Sequence, residues 1–198
     1  MNTKKHRVQI AKFGMYGFLK NLRFFEPFLL LYLIQSGLNL FQIGLLYSIR
    51  EATMYIFEIP SGVIADRYGK KNELIMCFLF YIVSFVIFFI GGNFLVFVIA
   101  IILYGLGEAF RSGTHKAMIM AYLDRHEIKE SKSKVYGLTR SYSLMGSFVS
   151  SISAVILVLL LPNLNLLFII AIIPYVLDLL LIVSYPSYLN QKMMVDLR

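Results

Sequence analysis

The chain has 198 residues, 59% of them hydrophobic, and a formal charge of +8. Its mean hydropathy of +0.73 argues against an ordinary soluble domain, where about half the residues are apolar, because the surplus falls in blocks near the roughly 20 residues that cross a bilayer. The lone cysteine, Cys77, rules out an internal disulfide framework and any multi-Cys metal site.

The blocks predict six spans within one membrane domain, residues 1–198. The first, Phe13–Ser36, follows a basic tail and carries Lys20, Arg23 and Glu26. It is too long and too charged for a signal peptide, and no small-x-small cleavage site follows. Gly37-Leu38-Asn39 turns the chain into the second span, Phe41–Ala65, which holds Arg50, Glu51 and Glu58. The third, Glu73–Ile90, is almost uncharged, and Cys77 within it is expected only to pack. After Gly91-Gly92-Asn93 comes the fourth, Phe94–Tyr122, with Glu108, Arg111, His115 and Lys116. His115 is expected to pack or to lie at an interface. The polar segment Asp124–Lys134 follows. Its His126-Glu127 pair lacks the second histidine of a zinc protease, since Glu130 stands there, and reads as a solvated loop. The fifth span, Tyr136–Leu160, carries Arg140, and Pro162 ends it. The sixth, Leu164–Tyr185, carries Asp178.

Lys and Arg set the orientation. Thirteen of the nineteen lie in the N-terminal tail (Lys4, Lys5, Arg7, Lys12), the second-to-third loop (Arg67, Lys70, Lys71), the fourth-to-fifth loop (Arg125, Lys129, Lys132, Lys134) and the C-terminal tail (Lys192, Arg198). The three opposite loops hold none. Both termini are therefore expected in the cytoplasm. The same count leaves no soluble basic face for nucleic acid.

Charges inside the spans must face protein or water. Spans one, two, four and five are expected to line a polar interior, with three and six facing lipid or lending support. Arg23 and Glu26 lie three residues apart, as do Glu108 and Arg111 in reverse order, and Arg50 has a counterpart in Arg140. Three spans followed by three related, inverted spans would produce this echo. At about 1.5 Å rise per residue, Arg23, Glu26 and Glu108 fall about 13–18 Å from the cytoplasmic end. Glu26 and Glu108 are candidate proton-coupling carboxylates. Arg23 and Arg50 are candidates for an anionic substrate group or for pairing with those acids. The plainer alternative is that Arg23–Glu26 and Glu108–Arg111 only neutralise buried charge. Tyr32, Tyr47, Tyr55, Tyr104 and Tyr142 are candidate cavity-lining residues. No phosphate-binding glycine loop, nucleophile triad or metal cluster is visible, so no enzyme activity and no cofactor are expected.

The segment Phe57-Glu58-Ile59-Pro60-Ser61-Gly62, running into Asp66-Arg67-Tyr68-Gly69-Lys70-Lys71, resembles the helix 2–3 loop of major facilitator superfamily transporters. Together with Phe18-Leu19-Lys20-Asn21-Leu22-Arg23-Phe24-Phe25-Glu26-Pro27, it makes the chain similar to the N-terminal six-helix half of that family. The resemblance implies that Asp66 contacts the N-terminus of a helix in the other half. It makes Arg67, Lys70 and Lys71 the bases of a gating cluster, with Gly62 and Gly69 allowing close approach and the turn. Glu58, Arg111 and Arg140 join this cytoplasmic gate. Lys70 replaces the more usual arginine, which keeps the charge but loses the bidentate fork. The Gly-Pro-x-x-Gly-Gly pattern of family antiporters is missing from Gly137–Ser147, so drug–proton antiport is not supported.

The expected fold is thus an all-α membrane protein, six transmembrane helices in a 3+3 inverted repeat, multi-pass in the cell membrane. The expected function is a half-size secondary active transporter, moving a small solute by alternating access, with H+ or Na+ as the coupling ion. Its partners would be membrane lipid, the solute, and a second copy or a C-terminal six-helix half. In a dimer, Asp66 would meet the partner near Tyr136 and Gly137, and Gly146, Ser147, Ser150, Ser151 and Ala154 would allow close packing. Alternatives are a non-transporting scaffold and a fragment of a twelve-helix transporter, since Asn190–Arg198 reads as the start of a linker.

Overall fold

A computed structural model describes residues 3–126 and 132–190, with side chains from residue 6 onward. The readings of Glu127, Lys129 and Glu130, and of residues 191–198 as a linker, lie outside the described residues. Among the described residues there are eight α-helices: α1 (Thr3–Leu19), α2 (Leu29–Gln35), α3 (Leu40–Tyr68), α4 (Lys70–Ile90), α5 (Phe94–Arg111), α6 (Thr114–Arg125), α7 (Lys132–Leu160) and α8 (Leu166–Val183). Short 3₁₀ turns stand at Glu26–Phe28 and Ser187–Asn190. Four stretches are long and apolar enough to cross a bilayer, Lys70–Ile90, Phe94–Arg125, Lys132–Leu160 and Leu166–Val183.

Two predicted spans are not single helices. The stretch Phe13–Ser36 unwinds between Lys20 and Phe25 and resumes through the 3₁₀ turn into α2. Pro27 has no N–H to continue the ladder, and its ring would press on the carbonyl four residues back. Carbonyls at the end of α1 take side-chain donors instead. Asn21 Nδ2 donates to Gly17 O at 2.7 Å, and the Tyr175 hydroxyl donates to Lys20 O at 3.1 Å. The stretch Phe94–Tyr122 breaks at Gly113, whose φ of +73° suits glycine and separates α5 from α6. Elsewhere the turns behave as read. Asn39 and Gln42 form a reciprocal capping box at the start of α3, with bonds of 2.9 and 3.0 Å. Asn93 caps α5. Gly69, at φ +97°, is the single residue between α3 and α4.

Helix α4 packs against α5 and α8, and two further long crossings run α1 along α7 and α3 along α5. Glycine makes both crossings close. A Cβ on Gly146 would lie 2.4 Å from Phe18 O, one on Gly17 3.0 Å from Thr139 O, and one on Gly105 3.0 Å from Arg50 O. Of the small residues on α7, Gly146, Ser150 and Ala154 are buried within the chain, while Ser147 and Ser151 stay exposed. Helix α4, expected to face lipid or lend support, buries Leu74, Cys77, Phe78, Tyr81, Phe85 and Phe88 on one face and exposes Met76, Leu79, Val83 and Ile90 on the other. Its aromatics meet those of α8 and of the unwound segment. Phe88 stacks on Phe168 at 4.9 Å between ring centres, and Phe25 lies 4.9 Å from Phe85. The outer faces of α3 and α7 expose large apolar side chains, including Phe41, Ile59, Phe148 and Leu159.

Candidate functional site

The unwound segment of α1 lowers Arg23 into the bundle, where all three of its guanidinium nitrogens are used. Nη2 donates to Glu108 Oε1 at 2.6 Å, Nη1 to Glu26 Oε1 at 3.5 Å, and Nε to Lys20 O at 3.4 Å. Glu108 sits on α5 with its side chain 12% exposed. Its second oxygen pairs with Arg111 Nη2, one turn further along α5. Tyr81 of α4 closes the knot: its hydroxyl donates to Glu108 Oε1 at 2.8 Å and accepts from Arg111 Nε at 3.2 Å. A buried carboxylate held by two guanidiniums and a phenol is locally neutralised and well supplied with donors, the condition under which buried charge is tolerated. Glu26 is different. Its side chain is half exposed, and Arg23 is its only ion-pair partner among the described residues.

Two cavities flank the unwound segment on the side facing α7. The first, of about 190 Å³, is lined by Lys20, Arg111, His115, Lys116, Tyr136 and Arg140 among others. The second, of about 220 Å³, is lined by Asn21, Arg23, Glu26, Pro27 and three serines of α7, Ser147, Ser150 and Ser151.

The structure gathers some predicted site residues and separates others. Arg23, Glu26, Glu108 and Arg111 come together. Arg50 stands apart: it binds its neighbour Glu51 at 2.7 Å and lies over Tyr47. Arg140 is exposed and lines the first cavity. Glu58 accepts from the Ser112 hydroxyl at 2.9 Å, joining α3 to the α5–α6 break. At the α3–α4 corner, Asp66 and Lys70 are half-buried, and Arg67 lies over the Tyr68 ring. Lys71 caps α8, its amine donating to Val183 O at 2.7 Å and Tyr185 O at 2.8 Å, where a cation meets the negative end of the helix. Gly69 makes room for Asn190, whose Oδ1 would lie 2.2 Å from a Cβ there. A Cβ on Gly62 would meet nothing within 4 Å.

Of the tyrosines, Tyr104 is buried beside Arg23, Tyr32 donates to Phe88 O, and Tyr55 is exposed. His115 is packed, its ring stacked on Tyr16 at 3.6 Å, and Cys77 is enclosed against Gly107 O. Among the described residues no group of three His, Cys, Asp or Glu side chains stands together as a metal site.

Sequence reading missed Tyr81, because nothing marks it within an aromatic-rich helix. It also left Lys20 and Lys116 without a role, although both were visible as charges within spans. Asp178, expected on a supporting helix, is fully enclosed, and neither of its carboxylate oxygens has a hydrogen-bond partner.

The Major Facilitator Superfamily model matches residues 14–192. An uncharacterised MFS-type transporter, YxaM, of Bacillus subtilis (strain 168) is 30% identical over 126 residues, 64% of this chain and 32% of that protein. An uncharacterised transporter of Buchnera aphidicola subsp. Schizaphis graminum (strain Sg) is 33% identical over 120 residues, 59% of this chain and 29% of that protein. The chain thus spans about a third of the length of the curated relatives it matches. In fold it is similar to a mutant of the peptide transporter POT in complex with sulfate, with a TM-score of 0.76, 17% identity, 92% of this chain covered and 38% of that one. The same mutant in complex with alafosfalin gives 0.75, also at 17% identity, with 92% and 39% covered.

Proposed function

The chain belongs to the Major Facilitator Superfamily, and from that premise we propose that it moves a small solute across the cell membrane by alternating access, within a transport unit that contains a second helical bundle. The observation that carries this is the unwound stretch of α1. It holds Arg23 against Glu108 inside the bundle and borders cavities on either side. Irregular backbone at membrane depth is tolerated where it lines a cavity or lies buried in protein, and interrupted helices mark transport sites in carriers. The second bundle, from another copy or from further sequence, would cover the open faces of α3 and α7, where Gly62 and Ser147 leave room.

We further read the fold as a 3+3 inverted repeat with both termini cytoplasmic. Support comes from matching contacts in the two crossings. Gly17 of α1 faces Thr139 and Ser143 of α7, while Gly105 of α5 faces Arg50 and Thr53 of α3. In the same alignment Arg23 answers to Arg111 and Lys20 to Glu108, and both pairs surround the centre. Tyr81 bonds Glu108, and Tyr175 bonds the carbonyl of Lys20. Equal crossings made by unequal sequences suit a bundle that rocks about its middle.

Glu26 is assigned the proton-coupling role, because it is the central carboxylate that is half exposed and lines a cavity. The test is accumulation of radiolabelled solutes in proteoliposomes under a pH gradient, using panels of organic anions, amino acids, sugars and organic cations. Uptake of one class that Glu26→Gln abolishes, with unchanged thermal stability, supports the reading. Absence of uptake for every class defeats transport, and undiminished gradient-driven uptake by Glu26→Gln defeats the coupling role.

A further inference from the structure

Resting on the transport reading of the α1–α7 face, we propose that the cavity between α1, α6 and α7 binds the oxyanion group, carboxylate or phosphate, of an anionic solute. Its wall carries Lys20, Arg111, Lys116 and Arg140, with His115 and Tyr136 beside them, and no carboxylate among the described residues. Among the described residues, Lys20, Lys116 and Arg140 have no acidic partner within ion-pair distance. Arg111 spends Nε and Nη2 on Tyr81 and Glu108 and keeps Nη1 without a hydrogen bond. The side chain is therefore fixed by the knot while one donor edge remains for the cavity. Lys116 lies over the Tyr136 ring at 5.2 Å, which steadies it at the rim.

Lys20 and Arg111 are half-buried and Lys116 and Arg140 stand exposed at the rim, so like charges crowd one wall and an anion between them would relieve their repulsion. Glu108 neutralises the knot next door but already holds two arginines, so it cannot serve the cavity as well. The size is decisive for the kind of ligand. Pockets for drug-sized molecules run about 300–1,000 Å³, whereas this cavity encloses about 190 Å³. It accommodates a charged head, and the rest of the solute would extend towards the open side of α7. Arg23 and Arg50, the sequence candidates for this role, are each occupied by acids. The anion seat thus falls to the cations one layer nearer the start of α7.

Isothermal titration of inorganic phosphate, and separately of acetate, into the purified protein tests this in nanodiscs of phosphatidylcholine alone. Saturable binding of either anion is expected, weakened by about tenfold or more in Lys116→Gln and in Arg140→Gln, and unchanged in Lys134→Gln, whose charge lies outside the cavity. Each variant's melting temperature checks folding. No saturable binding, or equal affinity in all variants, overturns the proposal. So does loss of that binding in a parallel titration in nanodiscs that also contain phosphatidylglycerol, which would give the cations to a lipid headgroup. Anion binding without uptake of any solute keeps this site and removes the transport reading, whereas uptake of neutral solutes without anion binding does the reverse.

Discussion

Arg111 belongs to two regions that solve the problem of buried charge in opposite ways. Towards α4 and the unwound part of α1, it shares Glu108 with Arg23, and Tyr81 bonds the carboxylate and the guanidinium. Towards α6 and α7, it borders a cavity with Lys20, Lys116 and Arg140 and, among the described residues, no acid. The knot is complete within the chain and contributes rigidity. The cavity is electrostatically incomplete and can gain by binding something. Charge inside a membrane bundle therefore has no single meaning: its partners decide whether it is structure or site.

Removing the central acid breaks the comparison most severely. Glu108→Gln leaves two enclosed guanidiniums facing each other without a carboxylate, and breaking a buried pair by deleting one partner costs about 3–5 kcal/mol. For a chain of this length, that corresponds to a fall of roughly 10 °C in the melting temperature of the detergent-solubilised protein. An unchanged melting temperature would mean that the knot is solvated rather than sealed.

Hydropathy made four of the six expected spans legible, the third to the sixth, because the bilayer imposes a length on each apolar block. It could not reveal the interruptions at Lys20–Phe25 and Gly113, which depend on local donors. Asn21 and Tyr175 satisfy the carbonyls that the lost ladder would have used, and the second of these is 155 positions distant from the carbonyl it serves. The charges of the knot were visible, but sequence spacing suggests only neighbours three or four residues apart. Spacing therefore paired Arg23 with Glu26 and Glu108 with Arg111; depth along the spans offered Arg23 to either acid, and only the fold shows that it reaches Glu108 across 85 positions. Lys71 illustrates the same limit. Its motif offered a gating base and gave no sign that the amine donates to carbonyls at the end of α8, more than 110 positions away.

A smaller change sharpens the contrast between charged and neutral partners. Tyr81→Phe removes a donor to Glu108 while leaving both arginines in place, a loss of about 1.5–3 kcal/mol for a hydrogen bond to a charged group. Tyr175→Phe removes the corresponding bond to the neutral carbonyl of Lys20, expected at about 0.5–1.5 kcal/mol. Thermal melts of the two variants should rank in that order. Equal losses would place the weight on aromatic packing instead of on the hydroxyls.

The smallest effect on stability is expected where charge density is highest. Lys116 and Arg140 are exposed, and the described residues offer neither an acidic partner. Neutralising both in the Lys116→Gln, Arg140→Gln double variant removes no native ion pair and relieves repulsion with Lys20 and Arg111. The stability change should stay within about 0.5 kcal/mol, and its sign at low ionic strength should be favourable. Added salt screens exposed cations, so any gain should shrink as ionic strength rises, while the Glu108→Gln loss, made in an enclosed place, should scarcely respond. Melting curves across a salt series separate these cases. A double variant as damaged as Glu108→Gln would show that these cations hold the bundle together, and the cavity would then be part of the scaffold rather than a seat for a ligand.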